Sequence, residues 1–208
     1  KGNVIVNYAS DPYFLADYIT NTTTSTTPLL AYQLLNQASL NYNGTNWMSS
    51  ASLSAYQTLH QLNLPANNQY QHLPELDTLG SYDHIWGNNS VSMNMQYINF
   101  AYNSAFAPIT TAMPIGQRLH LQPQITHNIF NAYGYIKPTL LLDNVDYMAH
   151  LATTPTTQER PQFNRSRNIP ITSIESGTYL MRSLQIQHRH YIQTLEPRVM
   201  YTYIPYQN

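Results

Sequence analysis

The 208-residue sequence predicts an all-β fold: an antiparallel up-and-down transmembrane β-barrel, present as a partial arc of about nine strands of a larger barrel. Three observations predict this class. Apolar and polar residues alternate with a period of two, long and short connections alternate along the chain, and only 9% of the residues are charged. In a typical soluble domain about a quarter of the residues are charged. We therefore expect residues 1–208 to form part of a single outer-membrane β-barrel domain.

Nine segments have the length and composition of β-strands. They are residues 3–8, 29–42, 46–57, 73–85, 90–103, 117–125, 133–147, 171–184 and 193–205. Bacterial barrels have an even number of strands, so an odd count indicates either an error of one strand or an arc cut from a larger wall.

The clearest alternation lies in residues 193–205. Glu196 and Arg198 fall on one face of this strand, whereas the apolar face ends in Tyr201 and Tyr203. Membrane barrels have an apolar outer face that ends in an aromatic girdle, and a polar lumen. An antiparallel sheet with one face in a soluble core alternates in the same way. The low charge and the order of the connections favour the membrane interpretation.

The connections between these strands alternate in length. The long ones are residues 9–28, 58–72, 104–116 and 148–170, and the short ones are Asn43-Gly44 and residues 87–89, 127–132 and 185–192. Asn-Gly is a strong signal for a type I′ hairpin turn, which we predict at Asn43-Gly44. Outer-membrane barrels have long extracellular loops and short periplasmic turns, and the sequence predicts the same arrangement here.

The composition argues against several classes of function. A net charge of −1 and a pI near 6.8 leave no basic surface for nucleic acid. Cysteine is absent, so the chain holds no disulfide and no thiolate metal site. We find no nucleophile elbow, glycine-rich phosphate loop or HExxH motif. We therefore predict no enzyme activity, no catalytic residue, no cofactor and no metal site, and interpret His188-Arg189-His190 as a solvated turn.

One segment near the C-terminal end resembles a known family. Gln193-Thr194-Leu195-Glu196-Pro197-Arg198, followed by Tyr201 and Tyr203, is similar to the β-barrel domain of the LptD family, also called the organic-solvent-tolerance family. Supporting segments occur in the family's order along the chain. They are Asn7-Tyr8, Ser10-Asp11-Pro12, Tyr13-Phe14, Pro74-Glu75-Leu76-Asp77 and Arg118-Leu119-His120-Leu121-Gln122-Pro123.

The resemblance implies a component of the bacterial outer membrane that inserts lipopolysaccharide into the outer leaflet. It also implies contact with outer-membrane lipid and a lipoprotein plug, LptE, in the barrel lumen. The periplasmic bridge protein LptA would meet an N-terminal periplasmic domain, which we expect outside this chain together with the lateral gate. Two alternatives remain open: a porin or adhesin-type outer-membrane barrel, and a soluble carbohydrate-binding β-sandwich.

Two groups of residues are candidates for function in such a barrel. Inward-facing charged side chains would line the lumen and meet lipid phosphates, sugars or the plug; they are Arg118, His120, Lys137, Asp143, Glu196 and Arg198. Prolines beside short turns would lie at the periplasmic rim; they are Pro123, Pro138 and Pro197. The alternatives are that the charged residues pair with one another or with water, and that the prolines mark bulges or strand starts.

Overall fold

The predicted strands are present as β-strands in the structure. The structure, a computed structural model, describes residues 1–14, 33–60, 68–103, 113–151, 162–186 and 189–206. The strands in these ranges are β1 (Gly2–Ile5), β2 (Gln33–Asn43), β3 (Trp47–Thr58), β4 (Tyr70–Ile85), β5 (Asn89–Tyr102), β6 (Pro114–His127), β7 (Ile129–Asn131), β8 (Gly134–Leu151), β9 (Gln162–Thr178), β10 (Leu180–Ile186), β11 (Arg189–Leu195) and β12 (Arg198–Tyr203).

Most of these strands form one sheet in which chain neighbours are also sheet neighbours. Its order is β1-β2-β3-β4-β5-β6-β8-β9-β12, with β7 also paired to β8, while β10 and β11 form a separate two-stranded sheet. The registered pairs are antiparallel. The all-β antiparallel class is thus confirmed for the described residues, whose strand path is open rather than closed into a barrel. The described residues include no helix with the length and hydropathy to cross a membrane.

The chain divides into two compact units. Five strands, β4, β5, β6, β8 and β9, have residues in both units. Unit 1 comprises Lys1–Thr78, Met95–His120 and Val145–Ser166, and unit 2 comprises Leu79–Asn94, Leu121–Asn144 and Arg167–Asn208.

One face of β1, β2 and β3 in unit 1 is apolar and exposed. Ala38 of β2 pairs with Val4 on one side and with Leu53 on the other. Leu40, two residues along the same face, pairs with Ala51. Val4, Leu40 and Leu53 are 71%, 64% and 49% exposed. These apolar side chains therefore lie on an open surface instead of in a core.

Unit 2 has an equivalent face on β9 and β12. Tyr201 pairs with Ile174, and Val199 and Tyr203 lie two residues away on the same face. Tyr201 and Ile174 are 65% and 50% exposed. The predicted alternation in this part of the chain is confirmed, because Arg198 falls on the opposite face, directly across from Gly177.

The described part of the chain buries few apolar side chains. The buried ones are Ala9, Leu59, Ile98, Tyr135 and Val145. A soluble domain of this size would bury most of its large apolar residues. Most of the large apolar side chains in the described part of the chain therefore lie at the surface.

The last two predicted strands are each interrupted, contrary to the prediction of unbroken strands over residues 171–184 and 193–205. Tyr179 separates β9 from β10, and Glu196-Pro197 separates β11 from β12. Pro197 has no backbone N–H and cannot complete the ladder at this point. The alternation of side chains continues through the interruption, which is why the sequence pattern did not reveal it.

The register is nevertheless preserved across these interruptions. The β9–β12 ladder ends with Gly177 opposite Arg198, and the β10–β11 ladder begins with Leu180 opposite Leu195. Two residues intervene on each strand, so the same pairing continues from one ladder into the next. The four strands therefore make one long hairpin.

The short connections differ in detail from the predictions. Gly44 N–H donates to the Trp47 carbonyl at 2.7 Å, and positive φ is not found at Asn43 or Gly44, so the type I′ prediction there is wrong. Two consecutive positive φ values, 48° and 84°, occur instead at Trp86 and Gly87, between β4 and β5. Type I′ turns require such a pair.

The predicted turn over residues 127–132 is also wrong, because β7 occupies part of it. The chain turns at Ala132 and Tyr133, where the Asn131 carboxamide oxygen accepts hydrogen bonds from the N–H groups of Tyr133 and Gly134 at 2.8 and 2.9 Å. Asparagine favours turns through this kind of local bond.

Two other predicted connections are shorter than expected. Residues 148–170 and 185–192 include strand residues, since β8 extends to Leu151, β9 begins at Gln162 and β11 begins at Arg189. Arg189 and His190 are therefore in a strand and not in the predicted solvated turn, while His188 lies outside the described residues. Parts of the other predicted long connections and of the predicted strand at residues 29–42 also lie outside them.

Connections of one kind lie together within each unit. In unit 2, Asn128 N–H donates to the Asn88 carbonyl at 2.8 Å, which joins the connection between β6 and β7 to the β4–β5 turn. In unit 1, the Asn68 carboxamide donates to the Asn103 carbonyl at 2.7 Å, beside two long connections. These contacts agree with the predicted sorting of the connections.

Candidate functional site: the polar face of the sheet

The face opposite the apolar side chains carries linked polar groups. In unit 1, Gln37 on β2 donates to the hydroxyl of Ser54 on β3 at 3.2 Å. The neighbouring residues Ala38 and Leu53 belong to the apolar face, so Gln37 and Ser54 lie on the other one. We call this the polar face, and it carries the candidate site in each unit.

The largest polar group in unit 1, the Gln96 cluster, comprises His72, Glu75, Asp77, Gln96 and Arg118. The Gln96 amide donates to Asp77 at 2.8 Å and to Glu75 at 3.4 Å, while its carbonyl oxygen accepts a hydrogen bond from Arg118. Glu75 also lies 2.8 Å from Nδ1 of His72. One uncharged amide thus links a guanidinium to two carboxylates.

Phe100 packs beside this cluster and partly covers its cation. The Arg118 guanidinium lies 5.8 Å from the centre of the Phe100 ring, and the His72 ring meets that ring edge-on at 5.2 Å. Nε of Arg118 is buried and has no hydrogen-bond partner among the described residues. Arg118 is therefore fixed by stacking and by one amide. His120 follows two residues later on the same strand face and is partly exposed.

Unit 2 contains a smaller cluster around Asp143, which is 9% exposed. Its two carboxylate oxygens accept hydrogen bonds from Gln122 on β6 and from Arg167 on β9, both at 2.9 Å. Asp143 thus connects three adjacent strands. The carboxylate is charge-balanced by Arg167, so a predicted lumen-lining residue acts here as the centre of a network.

A second cluster in unit 2 involves Lys137, Tyr135 and Glu175. The Tyr135 hydroxyl donates to Glu175 at 2.6 Å, and Nζ of Lys137 lies 4.7 Å from the centre of the Tyr135 ring. Gly177 leaves room for this ring, since a Cβ there would lie 2.6 Å from a ring carbon. Arg198 lies directly across from Gly177 and so belongs to the same neighbourhood.

Glu196 and Arg198 form an ion pair with each other, at 3.3 Å. They are two residues apart on one face, and both side chains are about half exposed. Exposed pairs of this kind contribute little to stability, about 0–1 kcal/mol. Both groups therefore remain available to a ligand.

The three candidate prolines do not share one structural position. Pro123 lies within β6 and Pro138 within β8, each four residues from the strand end nearest the β7–β8 turn. Only Pro197 lies between strands. Pro123 and Pro138 are therefore neither strand starts nor turn residues, and the placement of the three at a periplasmic rim stays a prediction.

Several residues of these clusters are absent from the sequence-based candidates. Glu75 and Asp77 alternate on one face of a predicted strand, so the period of two identifies them. Gln96 falls on the polar face of a predicted strand by the same alternation, but it carries no charge to single it out as a candidate. Arg167 falls in the predicted connection over residues 148–170, whereas β9 begins at Gln162.

Within each unit the arrangement suits polar recognition. Cationic and amide donors suit phosphate, and the donors together with the carboxylate acceptors suit sugar hydroxyls. The described residues contain no group of three or more His, Asp or Glu side chains placed to hold a metal ion.

Comparisons with known proteins identify the family. The family model LptD, LPS transport system D, matches residues 1–208. An LPS-assembly protein LptD of Coxiella burnetii is 42% identical over all of this chain and 23% of its own length. Proteins of the same name from Legionella pneumophila (strain Lens) and Nitrosomonas europaea are 34% and 30% identical, over 99% and 100% of this chain and 24% and 27% of their own lengths. The chain thus spans about a quarter of these relatives. Since the family model covers every residue, the chain belongs to the LptD family.

Proposed function

We propose that this chain is part of the wall of an outer-membrane β-barrel, and that the complete protein inserts lipopolysaccharide into the outer leaflet of the outer membrane. The observation that carries this proposal is the family match over all 208 residues, together with relatives named LPS-assembly proteins. The sheet supports it, because its strands have one apolar and one polar face.

The exposed apolar face supports a location in the membrane. Leu40 and Leu53 in unit 1 and Tyr201 and Val199 in unit 2 are between 49% and 72% exposed. Burying such side chains contributes about 25 cal/mol per Å² of apolar surface. In a bilayer, lipid tails would remove this apolar surface from water, whereas in solution it would stay in contact with water.

The sorting of the connections supports an orientation. In barrels of the bacterial outer membrane the short turns are periplasmic and the long loops extracellular. We place the β4–β5 and β7–β8 turns and the β10–β11 hairpin on the periplasmic side. Residues 1–208 then belong to one barrel domain, whose further strands lie outside this chain.

The polar face supports a lumen through which the sugar and phosphate groups of the lipid pass. Arg118, Lys137 and Arg198 are the cations best placed to meet phosphate, and Glu196 and His120 lie on the same face by alternation. This face also has the mixed polarity that suits a lipoprotein plug such as LptE. Contact with LptA would involve a periplasmic domain outside this chain.

Depletion of the complete protein tests the proposal. In a conditional strain, newly made lipopolysaccharide should stop reaching the cell surface before growth stops, as measured by pulse labelling and surface modification of the lipid. Surface lipid should return when the wild-type gene is expressed. Unchanged arrival of labelled lipopolysaccharide at the surface in fully depleted cells would contradict the proposed function.

A further inference from the structure

The β10–β11 ribbon, Leu180–Ile186 with Arg189–Leu195, extends beyond the rest of unit 2. The Tyr179 N–H donates to the Tyr133 carbonyl in the β7–β8 turn at 2.8 Å. Past this bond, β10 pairs with β11 alone. Every residue of β11 is exposed. Among the residues that the structure describes, the ribbon therefore has no neighbouring strand, and its two faces are open.

One face of the ribbon continues the apolar face of β12. Leu195 lies on the side of Val199, since the register is preserved across the interruption. Leu195 pairs with Leu180, and Leu184 pairs with Tyr191 on the same face. Leu180, Leu195 and Tyr191 are 54%, 60% and 48% exposed. An apolar surface thus runs from the sheet onto the ribbon.

The same face also carries the charges of the ribbon, and they are all positive. Arg182 lies between Leu180 and Leu184, and Arg189 lies two residues from Tyr191; both arginines are exposed. Residues 180–195 contain no Asp or Glu. Glu196 falls on the opposite face, where it pairs with Arg198. No carboxylate of the ribbon therefore neutralises Arg182 or Arg189.

We propose that this face of the β10–β11 ribbon binds the anionic headgroups of phospholipids in the periplasmic leaflet. The inference rests on the proposed function in one respect, namely that the sheet is part of a membrane barrel. Leucine and tyrosine side chains enter the interfacial layer, and the arginines reach phosphate. Each Arg near an anionic surface strengthens binding about fivefold. The combination of exposed apolar residues with uncompensated cations matches an anionic bilayer surface.

Native mass spectrometry of the complete protein tests this inference. The protein is reconstituted in nanodiscs of phosphatidylcholine with phosphatidylglycerol, and the phosphatidylglycerol retained by the protein is measured. We expect the wild type to retain phosphatidylglycerol in preference to phosphatidylcholine. In the double variant Arg182→Gln/Arg189→Gln this enrichment should fall about fivefold for each arginine replaced. The control variant Arg165→Gln, an exposed arginine on β9 in unit 1, should retain it.

Electrophoretic mobility with and without heating separates the two possible failures. Outer-membrane barrels change mobility when heat unfolds them. If the wild-type protein shows no shift and does not insert into bilayers, the proposed function fails. If the shift is present but the double variant retains phosphatidylglycerol as the wild type does, the ribbon inference alone is overturned.

A photo-crosslinker at position 191 of the complete protein in cells distinguishes lipid from protein. We expect adducts with phospholipid, and we expect Arg182→Gln/Arg189→Gln to reduce them severalfold. Adducts with a protein in place of lipid would overturn the inference, because the ribbon would then be a protein-docking element.

Discussion

Gly177 lies where β9 passes beside the ring of Tyr135. A Cβ at this position would lie 2.6 Å from one ring carbon and 2.9 Å from another, closer than real Cβ atoms approach. The Gly177→Ala variant must therefore move Tyr135 and weaken its hydrogen bond to Glu175. We expect a loss of about 1–3 kcal/mol in the free energy of unfolding, measured by denaturant titration in detergent or bilayers. The Gly2→Ala variant is the control, because its nearest neighbour would be an ordinary 3.6 Å away. Equal stability of the two variants would show that Tyr135 is not held as described.

Arg118 and Arg198 are the polar-face cations for which we predict a role in transport. Arg118 is held by Gln96 and Phe100, and Arg198 pairs only weakly with Glu196. Replacement of either by Gln removes a charge from the proposed lumen and leaves the apolar face intact. We expect altered plug association or slower lipid delivery with normal membrane insertion. The outer membrane should become more permeable to large antibiotics, whereas the controls Arg118→Lys and Arg198→Lys, which keep the charge, should not change its permeability. Unchanged permeability in both Gln variants would contradict this role.

At the scale of elements, Pro197 explains why two ladders replace one. Thr178 N–H donates to the Pro197 carbonyl at 3.2 Å, but proline has no N–H with which to return a bond. In the Pro197→Val variant the reciprocal bond becomes possible and should join the β9–β12 ladder to the β10–β11 ladder. We expect amide hydrogen exchange at residues 195–199 to slow by about two- to tenfold, as one added hydrogen bond of 0.5–1.5 kcal/mol would give. Exchange in the β2–β3 ladder serves as the internal control, and faster exchange around position 197 would contradict the explanation.

The same elements show how far the sequence predicts this fold. Alternation identified the nine strands of the main path and the faces of Tyr201 and Arg198 correctly, because both depend only on the period of two. It did not reveal the interruptions at Tyr179 and Pro197, since side chains keep alternating through them. The Asn-Gly pair predicts a type I′ turn at Asn43-Gly44, whereas two consecutive positive φ values occur at Trp86 and Gly87. Turn position depends on the register of the flanking strands, which composition does not determine.

The candidate site was predictable to a similar extent. The charged residues Arg118 and Asp143 stand out on alternating strands. Their partners Gln96 and Arg167 come from strands adjacent in the sheet and distant in sequence. Which residues meet across a ladder depends on register, so the networks could be found only in the structure.

For the whole molecule, the open strand path begins at β1 and ends at β12. Exposed strand edges promote association with other strands, so natural proteins cover them. The chain spans about a quarter of its relatives' length, and we expect strands of the complete protein to cover both edges. The central claim is then that one face of this wall meets membrane lipid while the other borders the lipopolysaccharide route.

Photo-crosslinkers at two adjacent positions of β12 in the complete protein test this claim most directly. Val199 and Met200 are 72% and 67% exposed and lie on opposite faces, opposite Ser176 and Glu175 respectively. The account predicts phospholipid adducts from position 199, and adducts with lipopolysaccharide or the plug lipoprotein from position 200. Phospholipid adducts from position 200 would contradict it. Lipopolysaccharide adducts that form from position 199 and not from position 200 would also contradict it.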